Sequence, residues 1–254
     1  MIEIGYFYRV PNKWIREKPP DPKRVCVYYL LNELRGISDK GMITIKYIVE
    51  NCGYKCRSGS DGVNKAYRDA LREVIKQQDV ILDGGYVVSD FSMVDGIPYT
   101  VNSDSFDVVE NFTKLTDTEF DTIIKNNSSR DKENILGVYL YIKSFYHPYT
   151  SVNRPIGFHN NLSSISKSLD ISERVLIKVL NWLVDQKLLI KYYVGSIETD
   201  NIKKPRKNVP NIYIPNLGQS QDEINETINS TVAMMQEFYS VDEFLPFMKN
   251  LKEN

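Results

Sequence analysis

The stretch Leu162-Ser163-Ser164-Ile165-Ser166-Lys167-Ser168-Leu169-Asp170-Ile171-Ser172-Glu173-Arg174-Val175-Leu176-Ile177-Lys178-Val179-Leu180-Asn181-Trp182-Leu183 decides how this chain is read. Leu162, Ile165 and Leu169 fall on one face of a helix over 162–169. Ile171 plugs a three-residue turn, Asp170-Ile171-Ser172. Leu176, Leu180 and Leu183 then recur at i, i+4 and i+7 along a second helix over 173–186. Two crossed helices joined by a tight turn must bury this set of side chains. Ser172 stands where its hydroxyl can cap the second helix. Glu173, Arg174, Val175, Ile177, Lys178 and Asn181 are left on or near the outward face. In a helix-turn-helix these positions enter the major groove of DNA, where Arg or Lys can bond guanine O6/N7 and Asn can bond adenine N6/N7. The spacing thus predicts Ser172, Arg174, Lys178 and Asn181 as DNA-contacting residues.

The flanking sequence extends the pattern. Leu188 to Val194 reads as a strand, and Val209-Pro-Asn-Ile-Tyr-Ile-Pro215 reads as its return. Between them Ser196 to Asn208 is polar and basic. Lys203, Lys204, Arg206 and Lys207 lie together around Pro205, and such a cluster can neutralise phosphates without reading sequence. The other reading is a lysine-rich hairpin tip that serves solubility. Upstream, Thr116 is placed to cap a short helix over 117–125. A longer helix runs from Lys132 to Tyr146 and stops before Pro148, followed by a loop with Asn153, Pro155 and Gly157.

The first hundred residues repeat this order. Ile2, Ile4, Tyr6 and Tyr8 alternate as a strand does, and Lys18-Pro19-Pro20-Asp21-Pro22 interrupts regular structure. Helices are expected over 24–35, closed by Gly36, over 45–52, ended by Gly53, and over 63–77. Val80-Ile81-Leu82, Asp83-Gly84-Gly85 and Tyr86-Val87-Val88 then have the pattern of a β-hairpin. Helix, helix, turn, helix and hairpin, twice over, is the order of a winged helix-turn-helix domain. The expected fold class is α+β, mostly α: two tandem winged helix-turn-helix domains with small β-hairpin wings, over 1–104 and 105–217, and a helical tail over 218–254.

In the first half, Lys65, Arg68, Arg72 and Lys76 recur every three or four residues as a basic ridge, with Lys55 and Arg57 in the loop before it. Lys65, Arg68 and Arg72 are thus candidates for a second phosphate or groove contact. The alternative is a solvated face neutralised by Asp69 and Glu73 at helix-neighbour spacing. Lys13, Arg16, Lys18, Lys23 and Arg24 make a basic entry that reads either as an arm or as a solvated charge run.

Residues 162–190, the basic wing with Val209–Pro215 and the preceding helix Ile135-Leu-Gly-Val-Tyr-Leu-Tyr-Ile-Lys-Ser-Phe145 resemble winged-helix proteins of phage and plasmid replication in Gram-positive bacteria, both initiator proteins and DnaD-type replisome organisers. Phe112-Thr-Lys-Leu-Thr-Asp-Thr-Glu-Phe120 is similar to the segment that introduces such a domain. The resemblance covers roughly 112–216. Over 1–100 it rests on element order and on Arg9-Val-Pro-Asn-Lys-Trp14. It implies binding of double-stranded DNA and assembly with replication proteins of the host, without catalysis and without a cofactor. The chain departs from the pattern in two places. Asp170 stands where such turns often carry Gly, so either Asp fills a positive-φ position or the turn lacks one. Val175, Ile177, Trp182 and Val184 make the long helix apolar beyond one stripe, which favours an interaction module if that surface is covered.

In the tail, Ile224, Ile228, Val232 and Met235 form a seam that closes onto its own chain or pairs with a second copy as a homodimer. Asp104, Asp107, Glu110, Asp117, Glu119 and Asp121 gather acid between the halves, and Asp222, Glu223, Glu226, Glu237, Asp242 and Glu243 load the tail. The 32 Lys and Arg residues nearly cancel 33 Asp and Glu, so attraction to an anion must come from local clustering. With 42% hydrophobic and 26% charged residues in 254, the composition is that of one large or two small folded domains and excludes wholesale disorder.

Several other classes lack their parts. No G-x-x-x-x-G-K-[ST] occurs, which speaks against a P-loop ATPase. His147 and His159 have no companions for a metal-dependent nicking site. Cys52 and Cys56 lack two further zinc ligands, and the carboxylates over 104–121 show no calcium-loop spacing. No catalytic or metal-binding residues are therefore expected. The opening segment does not read as a signal peptide, and no apolar run nears the ~18 residues of a membrane span. A cytoplasmic protein with three reduced cysteines and no membrane contact is the expectation.

Overall fold

The computed structural model describes residues 7–17, 20–35, 38–57, 62–76, 80–102, 112–146, 155–200 and 205–246. The fold is α+β, about half helical, with small antiparallel sheets. Among the described residues no helix is long and apolar enough to cross a membrane. The chain divides into two compact units, 1–140 and 141–254.

In the first unit, strand β1 (Phe7–Pro11) pairs antiparallel with β5 (Phe112–Thr116), in register from Phe7 opposite Thr116 to Pro11 opposite Phe112. Thr113 Oγ1 donates to Asn12 Oδ1 at 2.6 Å beneath this ribbon, both residues buried. The single-turn helix α1 (Asn12–Ile15) follows β1 and buries Trp14. Helix α2 (Pro22–Leu34) starts on an Asp21 cap whose carboxylate accepts from the Lys23 and Arg24 amides. Residues 24–32 of α2 are all buried. A helix covered on every side is the centre of its domain.

Around α2 the order is strand β2 (Lys40–Ile43), helices α3 (Ile45–Asn51) and α4 (Val63–Lys76), then β3 (Val80–Leu82) and β4 (Ile97–Val101). The sheet order is β2-β4-β3, all antiparallel. Here the structure corrects the expected hairpin. Tyr86 and Val87 are exposed and outside any strand, and the chain passes through 3-10 turns at Asp83–Gly85 and Val88–Asp90. The true return of β3 is β4, whose Ile97, Tyr99 and Val101 are buried in alternation. Pro98 lies beyond the β3 register, which ends at Tyr99, so it takes no ladder bond from β3.

The expected boundary after residue 104 is not where the compact units divide. The pairing of β5 with β1 ties 112–116 to the first unit, and α5 (Asp117–Phe120) follows with its Thr116–Glu119 capping box. A wider π-type turn, Asp121–Lys125, completes this piece. Phe120 stacks on Tyr29 at 3.7 Å between ring centroids, and Tyr139 donates to Glu119 at 2.5 Å. Helix α6 (Lys132–Ser144) belongs to the first unit through Leu140, and its last residues belong to the second.

The second unit repeats part of the first unit's order: an extended piece, two helices and a pair of strands. After the end of α6, Phe158 bridges Tyr213. Then come α7 (Leu162–Leu169), α8 (Glu173–Asp185), β6 (Leu189–Tyr192) and β9 (Ile212–Pro215), with β6 and β9 antiparallel. The short extended piece at Phe158 thus lies on the other side of β9 from β6, as β2 lies across β4 from β3. Between β6 and β9 the chain forms a second ribbon, β7 (Ser196–Glu198) with β8 (Arg206–Asn208). The sequence suggested only a polar connection there. Helix α9 (Gln221–Tyr239) opens on a Ser220–Glu223 capping box and packs Ile224, Ile228, Val232 and Met235 against Tyr146, Val209, Ile212 and Ile214. The seam of the tail therefore closes on its own unit.

The readings of Ile2, Ile4 and Tyr6 as strand, Gly36 as a cap, Gln77 as a helix end, His147 and Pro148, Asn153 and the carboxylates Asp104, Asp107 and Glu110 lie outside the described residues.

Candidate nucleic-acid interface

The α7–α8 pair follows from local chemistry. Asn161 caps α7 by accepting from the Ser164 amide at 2.7 Å, and Asp170 ends it in the left-handed conformation at φ 52°. Asp thus fills the positive-φ position where Gly is the easier residue. Ser166 Oγ donates to the Ile171 carbonyl at 2.5 Å, and the Ile171 amide returns to the Ser166 carbonyl at 3.2 Å, which closes the turn. Ser172 Oγ accepts from the Val175 amide at 3.3 Å and starts α8. Ile165, Leu169, Leu176, Leu180 and Leu183 are buried, Leu162 and Ile171 are half-buried, and Val179 joins the buried set.

This packing turns Arg174, Lys178 and Asn181 to solvent on one helical stripe. Ser172 is exposed beside them, its oxygen used as a cap and its hydrogen still able to donate. The apolar neighbours divide. Val175, Trp182 and Val184 are half-buried, whereas Ile177 is 43% exposed and shares the outward face with the cations.

Downstream, Arg206 and Lys207 are exposed on β8. Arg206 stands opposite Glu198 and Lys207 opposite Ile197 in the ribbon. The Thr199 amide donates to the Pro205 carbonyl at 2.8 Å, so Pro205 sits at the end of the paired region. Lys203 and Lys204 lie outside the described residues. The base of the ribbon is held from the other edge: the Ser196 amide donates to the Leu245 carbonyl at 2.8 Å, and the Leu245 amide to the Ser196 carbonyl at 2.9 Å. Gly195, at φ 135°, is required there, because a Cβ would stand 2.3 Å from the Leu245 carbonyl oxygen.

One group was missed in the sequence. Lys191 on β6 lies 4.5 Å from the ring of Tyr193, and Tyr192 and Tyr193 are 40% and 53% exposed. A basic residue beside adjacent tyrosines, on the strand that feeds a basic ribbon, was the available signal.

The first-unit candidates are differently placed. Asp69 holds Lys65 at 2.8 Å and Arg72 at 2.6 Å, and Glu73 holds Lys76 at 3.7 Å. The Lys65 hydrogen bond is the main reason that the Asp69 carboxyl titrates below its usual range. Two of the three predicted cations thus already share one carboxylate, as the solvated-face alternative expects. Arg68 turns away from this chain of charges and donates to the Met93 sulfur at 3.4 Å. Arg24 is buried against Glu17 and lies 4.6 Å from the Trp14 ring, so it is a core cation and no part of an arm.

His159 Nδ1 lies 2.9 Å from the Gly157 carbonyl oxygen, a local contact. No family model matches the chain, and neither a curated protein nor a solved structure matches it.

Proposed function

We propose that the chain is a non-enzymatic, duplex DNA-binding protein built on two winged helix-turn-helix units, acting in replication initiation or replisome loading of a phage or plasmid. The observation that carries the reading is the exposed stripe Arg174, Lys178 and Asn181 on a capped helix that packs as the second member of a tight helix pair. The shared order of an extended piece, two helices and two strands, with the extended piece beside the last strand, supports the winged-helix assignment in both units. In this mechanism α8 lies in a major groove and its donors bond base edges. Arg206 and Lys207, with Lys203 and Lys204 beside them in sequence, meet backbone phosphates and fix the register. The replication role rests on the resemblance of residues 112–216. Mapping the bound DNA to an origin or to a promoter separates it from transcriptional control.

The test is duplex affinity as a function of salt. Wild-type protein is expected to bind at low salt with log Kobs falling against log salt. The Lys203→Ala/Lys204→Ala/Arg206→Ala/Lys207→Ala variant should bind more weakly, with a slope shallower by about 0.9 for each phosphate that is no longer neutralised. Absent binding at low salt, or an unchanged slope in the variant, favours a second reading: an assembly module. Ile177, exposed between the cations, is the feature that speaks for that reading.

A further inference from the structure

The first unit contains a basic cleft that no part of the proposed reading uses. It is open, about 580 Å³ in volume, and lies among α3, the 54–57 segment, α4 and the loop before β4. Among the described residues its charged lining is Lys46, Lys55, Arg57 and Arg68 against one carboxylate, Glu50. Glu50 is reached only loosely by Lys46, at 4.0 Å. The walls are fixed by buried or backbone contacts. The Lys46 amide donates to the Met93 carbonyl at 2.8 Å, and the buried Asn64 side chain donates to the Arg57 carbonyl at 2.7 Å.

Arg68 is the informative residue. Arg68 lines the cleft half-buried, yet among the described residues its Nη2 meets only a thioether sulfur and its buried Nε has no hydrogen-bond partner. A thioether is a weak acceptor, whereas a guanidinium presents a planar fork of donors that fits two oxygens of one anion. A buried donor without an acceptor is unfavourable, so the site is incomplete as it stands. Three more cations around it set a positive local field in a chain whose net charge is −1.

We propose that this cleft is an oxyanion site that holds a phosphate group, with Arg68 as the fork and Lys46, Lys55 and Arg57 as the surrounding charge. The phosphate comes either from a nucleic-acid backbone or from a small phosphorylated ligand. The site belongs to the first unit alone and does not depend on how α8 is read.

The test uses the full chain labelled with 15N, titrated with pyrophosphate while the Arg68 Nε–H resonance is followed. A saturable shift is expected, with affinity about tenfold weaker or more in Lys55→Ala/Arg57→Ala, whose side chains are exposed and leave the fold intact. Arg68→Lys keeps the charge, removes the fork and, read through the backbone amides of residues 54–57 because the Nε–H is gone, should weaken pyrophosphate comparably, with its thermal melt measured alongside. A parallel arm follows the salt dependence of duplex binding in an Arg174→Ala/Lys178→Ala background, which sets α8 aside. If Lys55→Ala/Arg57→Ala lowers the salt slope there as well, the phosphate is that of a nucleic acid. If only pyrophosphate binding falls, the ligand is a small phosphate. Either result supports the site. An Arg68 resonance that does not saturate with pyrophosphate, or that responds equally in Lys55→Ala/Arg57→Ala, overturns it.

Discussion

Thr231→Val isolates one hydroxyl on which the docking of α9 depends. Thr231 is fully buried, and its Oγ1 has two roles: it accepts from the Gly157 amide at 2.8 Å and donates to the Thr227 carbonyl at 2.6 Å. Gly157 lies so close to the sheet that a Cβ there would stand 2.5 Å from Ile212 Cγ2, so nothing can slide in to replace the missing acceptor. Valine keeps the branched shape and leaves the Gly157 N–H buried without a partner, a cost of about 1–3 kcal/mol. The added methyl returns roughly 0.8 kcal/mol by burial. The net loss is about 0.2–2 kcal/mol, up to roughly 10 °C in the melting of a unit of this size. Thr227→Val is the control. Thr227 is equally buried but only donates to its own helix at the Glu223 carbonyl, so its loss should stay within about 0.5 kcal/mol. Scanning calorimetry of the full chain reads the shifts, and hydrogen exchange across Gln221–Tyr239 assigns them. Equal, negligible effects of both substitutions, with the α9 amides exchanging freely, would refute α9 as an integral layer of the second unit.

Other consequences are as direct. Cys56 is half-buried whereas Cys26 and Cys52 are buried, and burial pushes the Cys26 thiol well up. A neutral-pH thiol assay should therefore count one prompt thiol in the native protein and three after denaturation, and two or three prompt thiols would contradict this packing. Burial, with the facing carboxylates Asp117, Glu133 and Glu119 adding to it, raises the phenols of Tyr29, Tyr54, Tyr67 and Tyr139 above the ordinary tyrosine value. Because the folded state holds these protons more tightly, their contribution to stability is whole below pH ~10 and is lost as the pH climbs further. Ultraviolet titration should show these four ionising only with unfolding, and immediate ionisation of every tyrosine near pH ~10 would count against it. Asp170→Gly relieves a left-handed residue at a cost in unfolded-chain entropy, so the second unit should gain about 0.5–1 kcal/mol in denaturant with duplex affinity unchanged; a loss of stability would show that Asp170 is held there by something other than its backbone.

The parts of the fold that were legible in the sequence are those whose causes are local. The α7–α8 pair declares itself through a 3.6-residue period, Ser172 in front of Glu173, and a polar residue at a left-handed turn. The acid–base pairs of α4 follow from three- and four-residue spacing. What could not be read was distant pairing. Phe112–Thr116 has no local feature that names Phe7–Pro11 as its partner about a hundred positions away, so the sequence alone groups it with the residues that follow it. Ile97-Pro-Tyr-Thr-Val alternates as a strand, but Pro98 hides it and the nearer Tyr86-Val87-Val88 offered an easier return for β3. The stripe of α8 was visible as a pattern, whereas the cleft of Lys46, Arg57 and Arg68 exists only once α3, α4 and the β3–β4 connection are folded together.

The outward stripe of α8 is most directly tested by selecting bound duplexes from a random-sequence library with wild-type protein and with Arg174→Ala/Lys178→Ala. If this helix reads base edges, wild type enriches a defined motif, and the variant loses the enrichment with a penalty of about 1–3 kcal/mol per base contact on the selected site. Enrichment of the same motif by the variant, or no enrichment by wild type at low salt, would contradict the account.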